Sequence, residues 1–128
     1  MTLAELNDLS KYLETLEDGW DSYKAKKPSK ETIKKFKSLI KYLKNKKFDF
    51  DLISHSSACI TWPGVGITIE KDDLEYIIEI LDKRIIVTQL NNNELKSYVV
   101  LDSSILQVIE HMKVTGLFKQ NKEIKNVR

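Results

Sequence analysis

The chain has 128 residues, 41% of them hydrophobic and 31% charged, with a net charge of +2; that balance excludes a disordered polypeptide and suits one domain that buries its own core. Its longest apolar runs fall far short of the roughly 20 residues that cross a bilayer, which excludes a spanning helix. A lone cysteine, Cys59, leaves no internal disulfide and points to a reduced, cytoplasmic protein.

The first helix is predicted from Thr2, whose capping-box partner Glu5 follows three residues on. Leu3, Leu6, Leu9 or Leu13, and Leu16 recur at helical spacing with Tyr12 beside them, and Gly19 supplies a stop just before Trp20. Pro28 and Ser29 then open a second helix, predicted from Lys30 to about Lys46. At 100° per residue Ile33, Phe36, Leu39, Ile40 and Leu43 share one arc, while Lys30, Lys34, Lys37, Lys41 and Lys44 form a stripe on another.

The period then changes to two. "FDFDLI" reads as a strand with Phe48, Phe50 and Leu52 inward and Asp49 and Asp51 outward. "ACITW" and "VGITIE" flank the turn pair Pro63-Gly64 and predict two more short strands or one broken ribbon. "LEYIIEIL", "RIIVTQL" and "LKSYVVL", separated by Asp82-Lys83 and Asn91–Glu94, predict a three-strand antiparallel meander. A last helix is expected after a cap at Asp102 or Ser103, with Ile105, Leu106, Ile109 and Met112 inward and Gly116 as its stop.

The predicted architecture is therefore α+β: two N-terminal helices, an antiparallel sheet of about five strands and one C-terminal helix, in two layers (α-α-β-β-β-β-β-α). Residues 1–118 form the single domain, and 119–128 are expected to be a flexible basic tail.

The small net charge hides a partition. Residues 1–23 hold six acids against Lys11, whereas residues 24–47 hold eleven lysines against Glu31. The middle segment is where a partner of opposite charge would bind.

Between the two helices, "GWDSYKAKKPS" places a tryptophan and a tyrosine in a polar connection. Trp20 reads first as a plug folded back over the core, with Asp21 accepting loop N–H groups and the Tyr23 hydroxyl kept wet. Displayed, the same two aromatics would anchor an interface. The pattern Gly19-Trp20-Asp21-x-Tyr23-x-Ala25-x-x-Pro28-Ser29 resembles a family of small uncharacterised bacterial proteins, in which a Gly-Gly-Ile-x-Leu-Glu-Trp strand follows. Here Gly64-Val65-Gly66-Ile67-Thr68-Ile69-Glu70 keeps that outline, and Lys71 stands where the family has tryptophan. Members are similar to genes of phages and other mobile elements, and the resemblance implies a small inhibitor, of the antitoxin or of the anti-defence (anti-CRISPR) type.

Other constellations stay incomplete. His55 and Cys59 supply two potential metal ligands and no more, and Ser54, Ser56 and Ser57 have no oriented acid beside them. Glu70, Asp72, Asp73 and Glu75 read as a charged hairpin tip, and four glycines leave no phosphate loop. No catalytic, metal or cofactor set is assigned. The expected function is a non-catalytic protein-interaction module that inhibits a partner with an acidic or nucleic-acid-binding surface, through Lys30, Lys34, Lys37, Lys41, Lys44, Trp20 and Tyr23. The alternative is a nucleic-acid-binding accessory protein whose lysines contact phosphates without reading bases.

Overall fold

Two tight turns define the sheet. Asn92 and Asn93 both take positive φ (54° and 67°), the pair of left-handed residues that a two-residue hairpin turn demands and that asparagine tolerates best after glycine. Asp72 does the same (φ 54°) at the acidic tip. The structure, a computed structural model, describes residues 1–101 and 104–118. Its five strands are β1 (Ile53–Ala58), β2 (Gly64–Lys71), β3 (Leu74–Leu81), β4 (Ile85–Asn91) and β5 (Glu94–Leu101), all antiparallel and neighbours in chain order.

Three helices complete the predicted α-α-β5-α order: α1 (Leu3–Glu14), α2 (Lys30–Asn45) and α3 (Ile105–Val114). They cover one face of the sheet. Val65, Ile67, Ile69, Tyr76, Ile78, Ile80, Ile85 and Val87 point into a shared core with Leu6 and Leu13 of α1, Phe36, Leu39 and Leu43 of α2, and Val108, Ile109 and Met112 of α3. The alternate positions of β3, among them Glu75, Ile77 and Glu79, lie on the other face and are half-exposed.

Capping follows the sequence. Thr2 and Glu5 form the reciprocal box, and the hydroxyl of Ser29 accepts from the Thr32 amide at 3.1 Å. Ser29 also donates to Asp82 at 2.9 Å, tying the start of α2 to the β3–β4 turn. Lys71 donates from Nζ to the Gly116 carbonyl at 2.8 Å, so this residue ties the end of β2 to the chain just past α3.

Four expectations need correction. The segment "FDFDLI" is a strand only from Ile53 on; Phe50–Leu52 is a 3₁₀ turn, because the Asp49 carboxylate accepts from the Asp51 amide and closes the backbone locally. Phe48 is still buried, edge-on to Phe50 and Phe118, whereas Phe50 and Leu52 are only half-buried. "ACITW" is chiefly a hairpin connection, with Ile60 and Trp62 exposed; the strand sits one segment earlier, at Ile53–Ala58, and the Cys59 amide donates to the Gly64 carbonyl to close the loop.

The first helix ends at Glu14, not at Gly19, and Tyr12 on it is exposed. On α3, Leu106 is 59% exposed and Val108 is buried in its place, since 105, 108, 109 and 112 are the positions that share a face at 100° per residue. Ser104 occupies the N-cap position of α3 without a side-chain hydrogen bond. Asp102 and Ser103, expected as its cap, and the tail 119–128 lie outside the described residues. Among the described residues no helix is long and apolar enough to cross a membrane.

Candidate protein-binding surface

α2 has two chemistries on one cylinder. Its inward face, Ile33, Phe36, Leu39, Ile40 and Leu43, is at most 8% exposed. The five lysines of the stripe are all exposed. Burial of the first face leaves the second no choice of direction, since both are cut from one helical period. Lys30 to Lys44 span 14 steps of about 1.5 Å, roughly 21 Å of helix.

Lys35 lies outside the stripe and has another task. Its Nζ donates to the carbonyls of Leu81 (3.2 Å) and Asp82, closing the β3–β4 turn.

α1 packs beside α2, and the stripe borders the seam between them. Two clefts open along that seam. One, of about 570 Å³, has Leu13, Leu16 and Ile33 on its floor and Lys27, Lys30, Lys34 and Lys37 on its α2 side. The other, of about 590 Å³, has Leu3 and Ile40 on its floor and Lys11, Lys37, Lys41 and Lys44 around it. Glu14 and Lys37 line both clefts and meet in an ion pair of 2.9 Å. Glu17 is the other carboxylate on the walls. The lining thus carries seven lysines against two acids.

The acids of α1 were visible as a block in the sequence, but their placement against the lysine stripe was not. Glu14 and Lys37 are 23 positions apart, and only the packing of one helix on the other brings them together. Both side chains are about half exposed, so the pair is worth at most about 1 kcal/mol.

The loop between the helices separates its two aromatics. Trp20 is half-buried against the core, and its indole N–H donates to the Lys26 carbonyl at 3.2 Å. Asp21 accepts from the amides of Tyr23 (2.9 Å) and Ala25 (3.1 Å), and Asp18 from the Lys27 amide (3.1 Å). Gly19 takes φ 82°, a conformation that a side chain would strain, and its amide donates to the Ala25 carbonyl at 2.7 Å. Trp20 therefore anchors the loop. Tyr23 is 76% exposed, with the Lys24 ammonium 5.4 Å from its ring centre.

The remaining sequence candidates stay apart. His55 is exposed and its Nε2 lies 3.1 Å from the Ser57 hydroxyl. Burial, reinforced by the Glu79 charge, pushes the Cys59 thiol up to about 11, so it is protonated at neutral pH and a poor nucleophile. No three His, Cys, Asp or Glu side chains converge on a common point among the described residues.

One polar pair was not legible in the sequence. Tyr76, fully buried, meets His111 Nδ1 through its hydroxyl at 2.7 Å. Desolvation holds the tyrosine in its neutral form, with its pKa raised, and lowers that of the histidine, so at neutral pH the hydroxyl donates and the imidazole accepts. The pair satisfies two groups that burial would otherwise penalise.

No family model matches the chain, and no curated protein and no solved structure matches it either.

Proposed function

We propose that this chain is a non-catalytic protein-interaction module that captures an acidic protein surface with the lysine face of α2 and inhibits its partner by occlusion. The reading is carried by one observation: an exposed lysine row flanks a seam with an apolar floor. Charge on the rim steers association, and the floor supplies surface to desolvate. Tyr23, exposed at the head of the same hairpin, adds an aromatic contact.

The placement of α1 favours a protein over a nucleic acid. A phosphate backbone following the stripe would run past Glu14 and Glu17, whose charges repel it, whereas a protein can present carboxylates to the lysines and neutral or basic groups to these acids. The side-chain chemistry is compatible with binding alone, since the one thiol is held protonated and the Tyr76 hydroxyl, itself buried, is taken up by half-buried His111. Inhibition of the antitoxin or anti-defence kind rests on the resemblance carried by Gly19, Trp20, Asp21, Tyr23, Ala25, Pro28 and Ser29.

The test is capture from nuclease-treated host lysate with the wild-type chain and with a variant in which Lys30, Lys34, Lys37, Lys41 and Lys44 are all glutamine. A single protein held in fixed stoichiometry by the wild type and lost by the variant is the expected result. Recovery of nuclease-sensitive material alone would overturn the reading in favour of phosphate binding.

A further inference from the structure

The α1–α2 seam carries more information than its charge. Neither helix offers an unpaired backbone edge, so an extended peptide would gain no ladder of main-chain hydrogen bonds there. Recognition has to run through side chains. The stripe spacing of 4, 3, 4, 3 is itself the period of a helix, and a second helix laid along the seam repeats it, carboxylate for ammonium, over about 21 Å. The floor asks for aliphatic residues on the same helix, because Leu13, Leu16 and Ile33 in one cleft and Leu3 and Ile40 in the other are apolar, and the hydroxyl of Ser10, buried beside them, already donates to the Leu6 carbonyl at 3.1 Å.

The two clefts are separated by the Glu14–Lys37 pair, which lines both. Glu14 occupies, from within the chain, a lysine that an incoming carboxylate would use. Displacing it frees Glu14 to water and joins the clefts.

We propose that the α1–α2 seam is a groove for an acidic amphipathic helix of the partner, and that the Glu14–Lys37 ion pair is a bar across it that the partner's carboxylate displaces. This rests on the protein-binding reading above and adds to it the form of the ligand and a residue that holds affinity down. Glu14 is thus an internal competitor, and its removal strengthens binding, the opposite of what loss of a stabilising surface contact would do.

The probe is a synthetic 16-residue helical peptide with leucines at positions 2, 6, 9 and 13 and glutamates flanking them, compared with a scrambled peptide of identical composition. Each is titrated into the ¹⁵N-labelled full chain and into its Glu14→Gln and Lys34→Gln variants. Expected are amide shifts concentrated on α1 and α2, binding of the scrambled peptide weaker by about tenfold, tightening by roughly two- to fivefold in Glu14→Gln, and weakening by a similar factor in Lys34→Gln. A duplex DNA of equal charge forms the control arm and should be weakened steeply by salt.

Equal binding of both peptides, shifts away from the seam, no peptide binding, or an unchanged affinity in Glu14→Gln would each overturn the proposal. The two readings fail separately. Lysine-dependent capture from lysate alongside a failed peptide titration removes the helix groove and leaves the protein-binding reading, while loss of both removes the reading itself.

Discussion

The inward and outward faces of α2 are built from the same sixteen residues and answer to different physics. Phe36 and Leu39 are fully buried and Leu43 nearly so, and they bind the helix to β2 and β3, while Lys34 and Lys41 on the far side are exposed. A core substitution removes contacts that nothing else replaces; a surface lysine removed from water-facing positions leaves folding almost untouched. The helix therefore separates stability from charge-led recognition, and the two halves meet only at Ile33 and Ile40, which belong to the core and also floor the clefts.

The largest effect belongs to the inward face. Phe36→Ala should cost about 3–5 kcal/mol, the transfer of a buried ring plus the cavity it leaves, read by urea unfolding. Retention of wild-type stability would mean that α2 is not seated on the sheet as described. The loop anchor comes next: Trp20→Ala should cost about 1–2 kcal/mol, and Trp20→Phe should recover most of it, lacking only the hydrogen bond to Lys26.

A cap is smaller still. Ser29→Ala should lose about 1 kcal/mol, since the Thr32 amide and Asp82 both lose their partner. On the outward face, substitution of all five stripe lysines by glutamine should leave the melting temperature nearly unchanged. A melt as large as that of Phe36→Ala would erase the contrast between the two faces.

The Tyr76–His111 pair gives the contrast a pH dimension. Desolvation lowers the histidine's pKa in the folded state, so the unfolded chain binds the proton more readily. The contribution is fully present above the unfolded value of about 6.5 and is lost as pH falls through it toward the folded pKa. Unfolding midpoints of the wild type should drop between pH 7 and pH 5 more than those of His111→Gln; parallel pH profiles would contradict the assignment.

Much of this was readable in the residues. The two caps at Thr2 and Ser29, the apolar arc of α2 and the strand runs from Leu74 to Leu101 each repeat a single period long enough to be unambiguous. Short alternation was not: five residues around Asp49 carry a strand pattern, but one aspartate closing on the Asp51 amide outweighs it. Val108 in place of Leu106 was also legible on α3, since the helical period groups 108 with 105, 109 and 112 and sets 106 to one side. The seam was illegible. Lysines and acids are visible as blocks, but which carboxylate meets which ammonium depends on how α1 lies against α2.

The central claim is that the α1–α2 seam is where the partner sits. Amide hydrogen exchange of the full chain, free and with its captured partner, tests it most directly. Added protection confined to the C-terminal half of α1, the loop from Lys26 to Ser29 and the exposed face of α2 is the predicted result. Protection centred on β5, on the outer face of α3 or on the uncovered face of the sheet, with the seam unchanged, would contradict it.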